Sequence, residues 1–89
     1  MRTIRYTGQF KKDAKLASKR GYDMNKLRLV IETLVNEEEL EARYKDHPLQ
    51  GKFVGARDCH IAPDWILIYA IVGDEVRLIR TGTHSDLFK

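Results

Sequence analysis

Residues 65–72, Trp-Ile-Leu-Ile-Tyr-Ala-Ile-Val, form an apolar run with no polar alternation. The run is too short to cross a membrane and rich in β-branched and aromatic side chains, so it predicts a strand covered on both faces. In a chain of 89 residues the core must be compact, because a domain this size buries only about 60–65% of its unfolded surface. One domain, residues 1–89, is therefore expected.

The segments on either side fit that plan. Val72-Gly73-Asp74-Glu75 has the form of a two-residue hairpin with glycine first, the type II′ arrangement, and leads into a second strand over residues 75–81. Taken as the loop, Gly73 and Asp74 set a register in which Val72 faces Glu75, Tyr69 faces Leu78, Leu67 faces Arg80 and Trp65 faces Gly82. Arg80 and Trp65 would then share a face at the end of the sheet that also carries Asp64, with His84 two residues past Gly82. Residues 53–61 are a further candidate strand, and residues 2–6 a short one.

Two helices are expected before the main strands. Thr7 precedes a run in which Phe10, Ala14 and Ala17 recur at helical spacing, with Gly21 as the stop. Asp23 is an N-cap for a second helix whose core stripe is Leu27, Val30, Ile31, Leu34 and Val35. The pattern fades at Asn36 and the glutamates that follow. The segment from Glu37 to Lys52 shows little periodicity, and a loop that long in so small a domain is usually functional. The expected class is α+β, two N-terminal helices packed on a small twisted antiparallel sheet in the order β-α-α-β-β-β.

The net charge is only +3, but residues 1–28 hold nine Lys or Arg against Asp13 and Asp23, a local excess of seven. Lys11, Lys15 and Lys19 sit four apart on one exposed helical stripe, with Lys12 and Arg20 beside it. A basic flank of this kind suits nucleic acid. The N-terminus has no apolar leader and no stretch reaches membrane-spanning length, so a cytoplasmic location without membrane contact is expected. The single cysteine, Cys59, allows no internal disulfide and alternates with His60, which turns it to the opposite face of its strand.

The chain has three histidines, His47, His60 and His84. Cutting RNA without a metal requires a base for the 2′-hydroxyl proton, an acid for the departing 5′-oxygen and cations for the phosphate charge. Histidine suits both proton roles because its unperturbed pKa is about 6.5. Asp64 could orient an imidazole, Arg80 could hold phosphate through its planar fork, and Trp65 and Phe88 could stack on unpaired bases. The same ligands suit a metal, but no two histidines show the short helical spacing of metal motifs, so no metal and no cofactor are expected.

These segments also resemble a family. Tyr6-Thr7-Gly8-Gln9, Asp23-Met24-Asn25-Lys26-Leu27, YKDHPLQG (44–51), RDCHIAPDWILIY (57–69), RTGTH (80–84) and Leu87-Phe88 are similar, in order and over nearly the whole chain, to YafQ-type toxins of the RelE/ParE superfamily. The resemblance implies a ribosome-dependent mRNA interferase that cuts messenger RNA in the decoding site, without metal, leaving a 2′,3′-cyclic phosphate or its 3′-phosphate product. It places catalysis on His47, His60, Asp64 and His84, with Trp65, Arg80 and Phe88 in support. The partners it implies are the 70S ribosome and its A-site mRNA, a DinJ-like antitoxin encoded beside the toxin, and operator DNA through the antitoxin complex alone. On that footing Lys11, Lys12, Lys15, Lys19 and Arg20 are expected to hold ribosomal RNA, and His84 and His47 to be the proton-transfer pair, with base and acid undivided between them. Two rival functions share these features: a ParE-like inhibitor of DNA gyrase that needs no catalytic group, and a plain RNA- or ribosome-binding module.

Overall fold

The computed structural model describes residues 1–88. The chain runs β1 (Thr3–Tyr6), α1 (Gly8–Lys19), α2 (Met24–Val35), β2 (His47–Pro48), β3 (Arg57–Ala62), β4 (Trp65–Val72), β5 (Glu75–Gly82) and α3 (His84–Leu87), with 3-10 turns at Ala42–Tyr44 and Gly51–Phe53. The sheet order is β1-β5-β4-β3-β2. The α+β architecture with two helices on the sheet is as expected, with differences at both edges: the two-residue strand β2 adds a fifth strand beside β3. β1 pairs with β5 in parallel, Thr3 opposite Glu75 through Tyr6 opposite Leu78, so the sheet is mixed.

Local chemistry sets the helix ends. The Thr7 hydroxyl accepts from the Phe10 amide, and the Asp23 carboxylate from the Asn25 amide, each satisfying an otherwise orphaned donor. Gly21, at φ 82°, closes α1, with the Tyr22 amide returning to the Ala17 carbonyl and the Gly21 amide to Ser18. α2 ends at Val35, and the glutamates beyond it lie outside the helix.

β4 is buried on both faces from Trp65 to Ala70, as its uninterrupted apolar run requires. One face, with Trp65, Leu67 and Tyr69, packs with Val76, Leu78 and Cys59 against Phe10, Ala17, Leu27, Val30 and Leu34 of the two helices. Each fully buried aliphatic side chain there contributes about 1.5–3 kcal/mol. The other face, with Ile66 and Ile68, is covered only by Ala56 and Leu87, with Leu49, Phe53 and Ile79 at the margin. That thin cover leaves the rest of the second face open, and the histidines stand there.

Two expectations change in detail. The third strand begins at Arg57 rather than residue 53, because residues 51–53 form a 3-10 turn and Gly55 reverses the chain at φ 91°. The hairpin holds its expected register from Val72–Glu75 to Tyr69–Leu78, with Gly73 at φ 59°, and then slips. A bulge opposite Ile68 and Tyr69 inserts one residue, so Ile68 meets Arg80, Leu67 meets Thr81 and Ile66 meets Gly82. The extra residue keeps Leu78 in the helix-side core, lets Ile79 reach the second core and sends Arg80 toward α1.

Candidate active site

β3 alternates across the sheet, so Cys59 and Ile61 enter the helix-side core while Asp58 and His60 share the other face. Cys59 is fully enclosed and burial pushes its thiol up to about 12, which removes it as a nucleophile. β2 pairs with β3 so that His47 stands opposite Asp58. The Pro48 ring favours extended backbone at His47, and the carbonyl of Lys45 lies 2.8 Å from His47 Nδ1. A carbonyl only accepts, so the proton belongs on Nδ1 and Nε2 carries the lone pair. Lys45 is held in the left-handed region at φ 50°, a costly conformation for a lysine that aims this carbonyl.

Behind His47 lies a residue the sequence reading missed. Asp58 is 3% exposed, and its Oδ1 sits 3.0 Å from His47 Nδ1 without the alignment of a hydrogen bond. Burial raises its pKa, while positive charge on His47, His60 and His84 draws it back down. The Asp-x-His alternation of β3 was the available signal.

His84 opens α3, and the short helix is well fastened. The Thr83 hydroxyl accepts from the Asp86 amide and Asp86 accepts from the Thr83 amide, a capping box. Arg20, from the end of α1, reaches the same Asp86 carboxylate at 2.9 Å. Arg20 therefore has an intramolecular partner, unlike the exposed ammonium groups expected beside it for ribosomal RNA. His84 donates from Nδ1 to Asp64 Oδ1 at 2.8 Å, and its backbone amide donates to the same oxygen at 3.1 Å. These hydrogen bonds hold the Asp64 carboxyl below its ordinary value. As with His47, the acceptor fixes the proton on Nδ1. Among the described residues, neither Nε2 has a protein partner.

The rings of His60 and His84 meet edge to face with centroids 5.4 Å apart. Phe88 lies 6.2 Å from His84 and packs edge-on against Phe53 at 6.1 Å. Phe88 is 42% exposed, so part of its ring is available to a ligand. The structure thus gathers His47, His60, Asp64, His84 and Phe88 from four separate segments, with Asp58 beneath them.

Trp65 and Arg80 are placed differently from expectation. Trp65 is 4% exposed, lies edge-on to Tyr22 and donates from its indole to Thr81 Oγ1 at 2.9 Å, so its ring is core rather than an open stacking platform. Arg80 gives Nε and Nη2 to the two oxygens of Asp13, each at 3.0 Å, and the Thr81 amide donates to the same carboxylate. The bulge separates it from Trp65, and its fork is occupied by α1. Lys11, Lys12, Lys15 and Lys19 are exposed along α1.

A domain of this fold, with imidazoles and carboxylates converging beside an exposed aromatic, has close relatives. Residues 2–89 match the family model described as bacterial toxin of type II toxin-antitoxin system, YafQ. The mRNA interferase toxin YafQ of Escherichia coli strain K12 is 54% identical over 88 residues, 98% of this chain and 96% of that one. The YafQ chain in the crystal structure of the E. coli DinJ–YafQ complex superimposes with a TM-score of 0.93 at 53% identity over the full length of both. A metal-bound toxin from Helicobacter pylori aligns with a TM-score of 0.92 at 41% identity, covering 99% of this chain and 100% of that one. The chain belongs to the YafQ family of type II toxins. Among the described residues no group of three or more His, Cys, Asp or Glu side chains is placed to hold a metal ion. No helix among the described residues is long and apolar enough to cross a membrane.

Proposed function

We propose that this chain is an endoribonuclease that enters the decoding site of the translating ribosome and cuts the messenger RNA there. The observation that carries the reading is the matched pair of imidazoles. His47 and His84 each have Nδ1 tied to an acceptor, which leaves Nε2 available to exchange a proton. One Nε2 takes the proton of a ribose 2′-hydroxyl as its oxygen attacks the adjacent phosphorus. The P–O5′ bond breaks, the other imidazolium returns a proton to the 5′-oxygen, and the products are a 2′,3′-cyclic phosphate and a 5′-hydroxyl. Asp64 fixes the tautomer and orientation of His84, Asp58 backs His47, and His60, ring to ring with His84, is an orienting or charge-bearing group.

Phe88, with Phe53 against it, offers a face on which an unpaired base stacks. Trp65 and Arg80 act at one remove: the first anchors the turn that carries Asp64, the second locks β5 to α1 just before His84. Lys11, Lys12, Lys15 and Lys19 hold ribosomal RNA, and Arg20 serves chiefly to fasten α3. The relative solved with DinJ supports a DinJ-like antitoxin as partner; in this reading operator DNA is reached only through that complex, and the toxin acts in the cytoplasm. A gyrase inhibitor or a passive RNA-binding module would give the paired imidazoles no task.

Primer extension on cellular messages after brief induction tests the reading. Cuts are expected inside translated frames and absent from untranslated leaders, and His84→Ala is expected to slow cutting by about 10²–10⁴-fold. Cuts that ignore translation, or undiminished cutting by His84→Ala, would overturn it.

A further inference from the structure

A second feature adjoins the histidines without belonging to their proton chemistry. A cleft of 480 Å³ opens between α2, the 3-10 turn before β2 and the end of β3, bordered by Lys26, Arg43, Tyr44, Lys45, His60 and Pro63. Three side chains of its border are cationic and none is acidic. Lys26 comes from α2, and Arg43 and Lys45 from the 3-10 turn and its C-cap, so the concentration of charge is made by the fold rather than by one basic helix face. Lys26, Arg43 and Lys45 are all exposed. Arg43 lies over the Tyr44 ring at 4.6 Å and meets the Tyr44 hydroxyl at 2.9 Å, which stiffens the arm. Its one acidic neighbour, Glu41 at 3.4 Å, forms an exposed pair that a phosphate can displace at small cost.

His60 joins this cleft to the reacting centre. It borders the cleft and at the same time meets His84 ring to ring at 5.4 Å. Lys45 is shared in the same way, since its carbonyl orients His47 while the residue also lines the cleft. His60 thus bridges His84 and the cationic recess, which is the spacing a neighbouring phosphate of a strand bound at His84 would meet.

We propose that this recess is a subsite for a non-scissile phosphate of the same RNA strand, held by Lys26 and Arg43, with Tyr44 beside the attached nucleotide. The proposal rests on the ribonuclease reading and deepens it. The recess fixes the strand so that the cleaved bond, rather than its neighbour, lies between the imidazoles, and it does so through charge and not through base identity.

The test uses full-length toxin and ribosomes programmed with a defined messenger. Single-turnover cleavage is compared for the natural message and for messages with one uncharged methylphosphonate linkage on either side of the scissile bond, using wild type and the Lys26→Ala/Arg43→Ala variant. At one of the two positions the neutral linkage is expected to slow the wild type about tenfold, the scale of a partly exposed charge-assisted contact. The variant is expected to be slower by a similar factor on the natural message and insensitive to that linkage. Losses that multiply independently, or a variant as fast as wild type, would overturn the subsite, as would a variant impaired only in binding its antitoxin. Failure of wild type to cut the natural message on the ribosome would instead overturn the ribonuclease reading itself.

Discussion

Each of the two imidazoles proposed to move protons is held by a different kind of support. His84 is tied to Asp64, an open carboxylate at the surface, whereas His47 is tied to a backbone carbonyl with the buried Asp58 behind it. Asp58 has an energetic consequence of definite sign. Its pKa is raised, by burial first, so it favours the fold in its protonated form. That stability is present below the unfolded carboxyl value and is lost as pH rises through the folded one. Wherever Asp58 is ionised, its burial makes that charge a cost to the fold. Asp58→Asn is therefore expected to leave the melting temperature at pH 7 unchanged or slightly raised while slowing cleavage by at least tenfold. Melting curves and single-turnover rates decide it: a lower melting temperature with full activity would assign Asp58 to packing alone.

At the scale of elements, the decisive one is α3, only four residues long and too short to be stable without external ties. Its ties are the Thr83–Asp86 capping box and the Arg20 guanidinium, which together hold the Asp86 carboxyl down at about 2. A depressed carboxyl stabilises the fold above its unfolded value, and that contribution fades as pH falls toward the folded one. Because both partners are about one-third exposed, solvent screening keeps the contribution of the pair small. Between pH 4 and pH 2 the wild type should lose this increment and Asp86→Asn should not, so acid titration of the melting temperature separates them; parallel curves would show that the tie is idle. The elements also differ in how legible they were. Thr7, Gly21 and Asp23 mark helix ends by bonds made within a few residues, and β4 announces itself by its apolar run. The β5 bulge was hidden because it goes with an Arg80–Asp13 contact that joins residues far apart in sequence, and the parallel β1 edge because pairing direction leaves no periodic trace.

For the whole molecule, the lysines of α1 and the histidine site occupy different regions. The α1 lysines form a basic surface, while the histidines stand on the thinly covered second face of the sheet. If α1 meets ribosomal RNA, Lys11→Glu, Lys15→Glu and Lys19→Glu together should weaken ribosome binding and flatten its dependence on salt, since fewer counterions are released. Sedimentation with ribosomes at several salt concentrations reads this out; unchanged affinity and slope would place the contact elsewhere. The histidines and Asp64 were legible as residue types suited to one reaction. Asp58, Lys45 and the cationic cleft were not, because their meaning comes from neighbours that only the folded chain supplies. Trp65 and Arg80 show the converse: both were conspicuous in sequence, yet the fold commits the indole to Thr81 and the guanidinium to Asp13.

The central claim is that side chains of this protein activate a ribose 2′-hydroxyl of ribosome-bound messenger RNA. A single 2′-deoxy substitution at the nucleotide 5′ to the cut tests it most directly, on purified programmed ribosomes with full-length toxin. Cleavage of the all-ribose message to a 2′,3′-cyclic phosphate end, and none at the substituted position, is the expected result. Cutting of the deoxy-substituted message at the same bond and rate would contradict the account, because the attacking oxygen would then have to come from elsewhere.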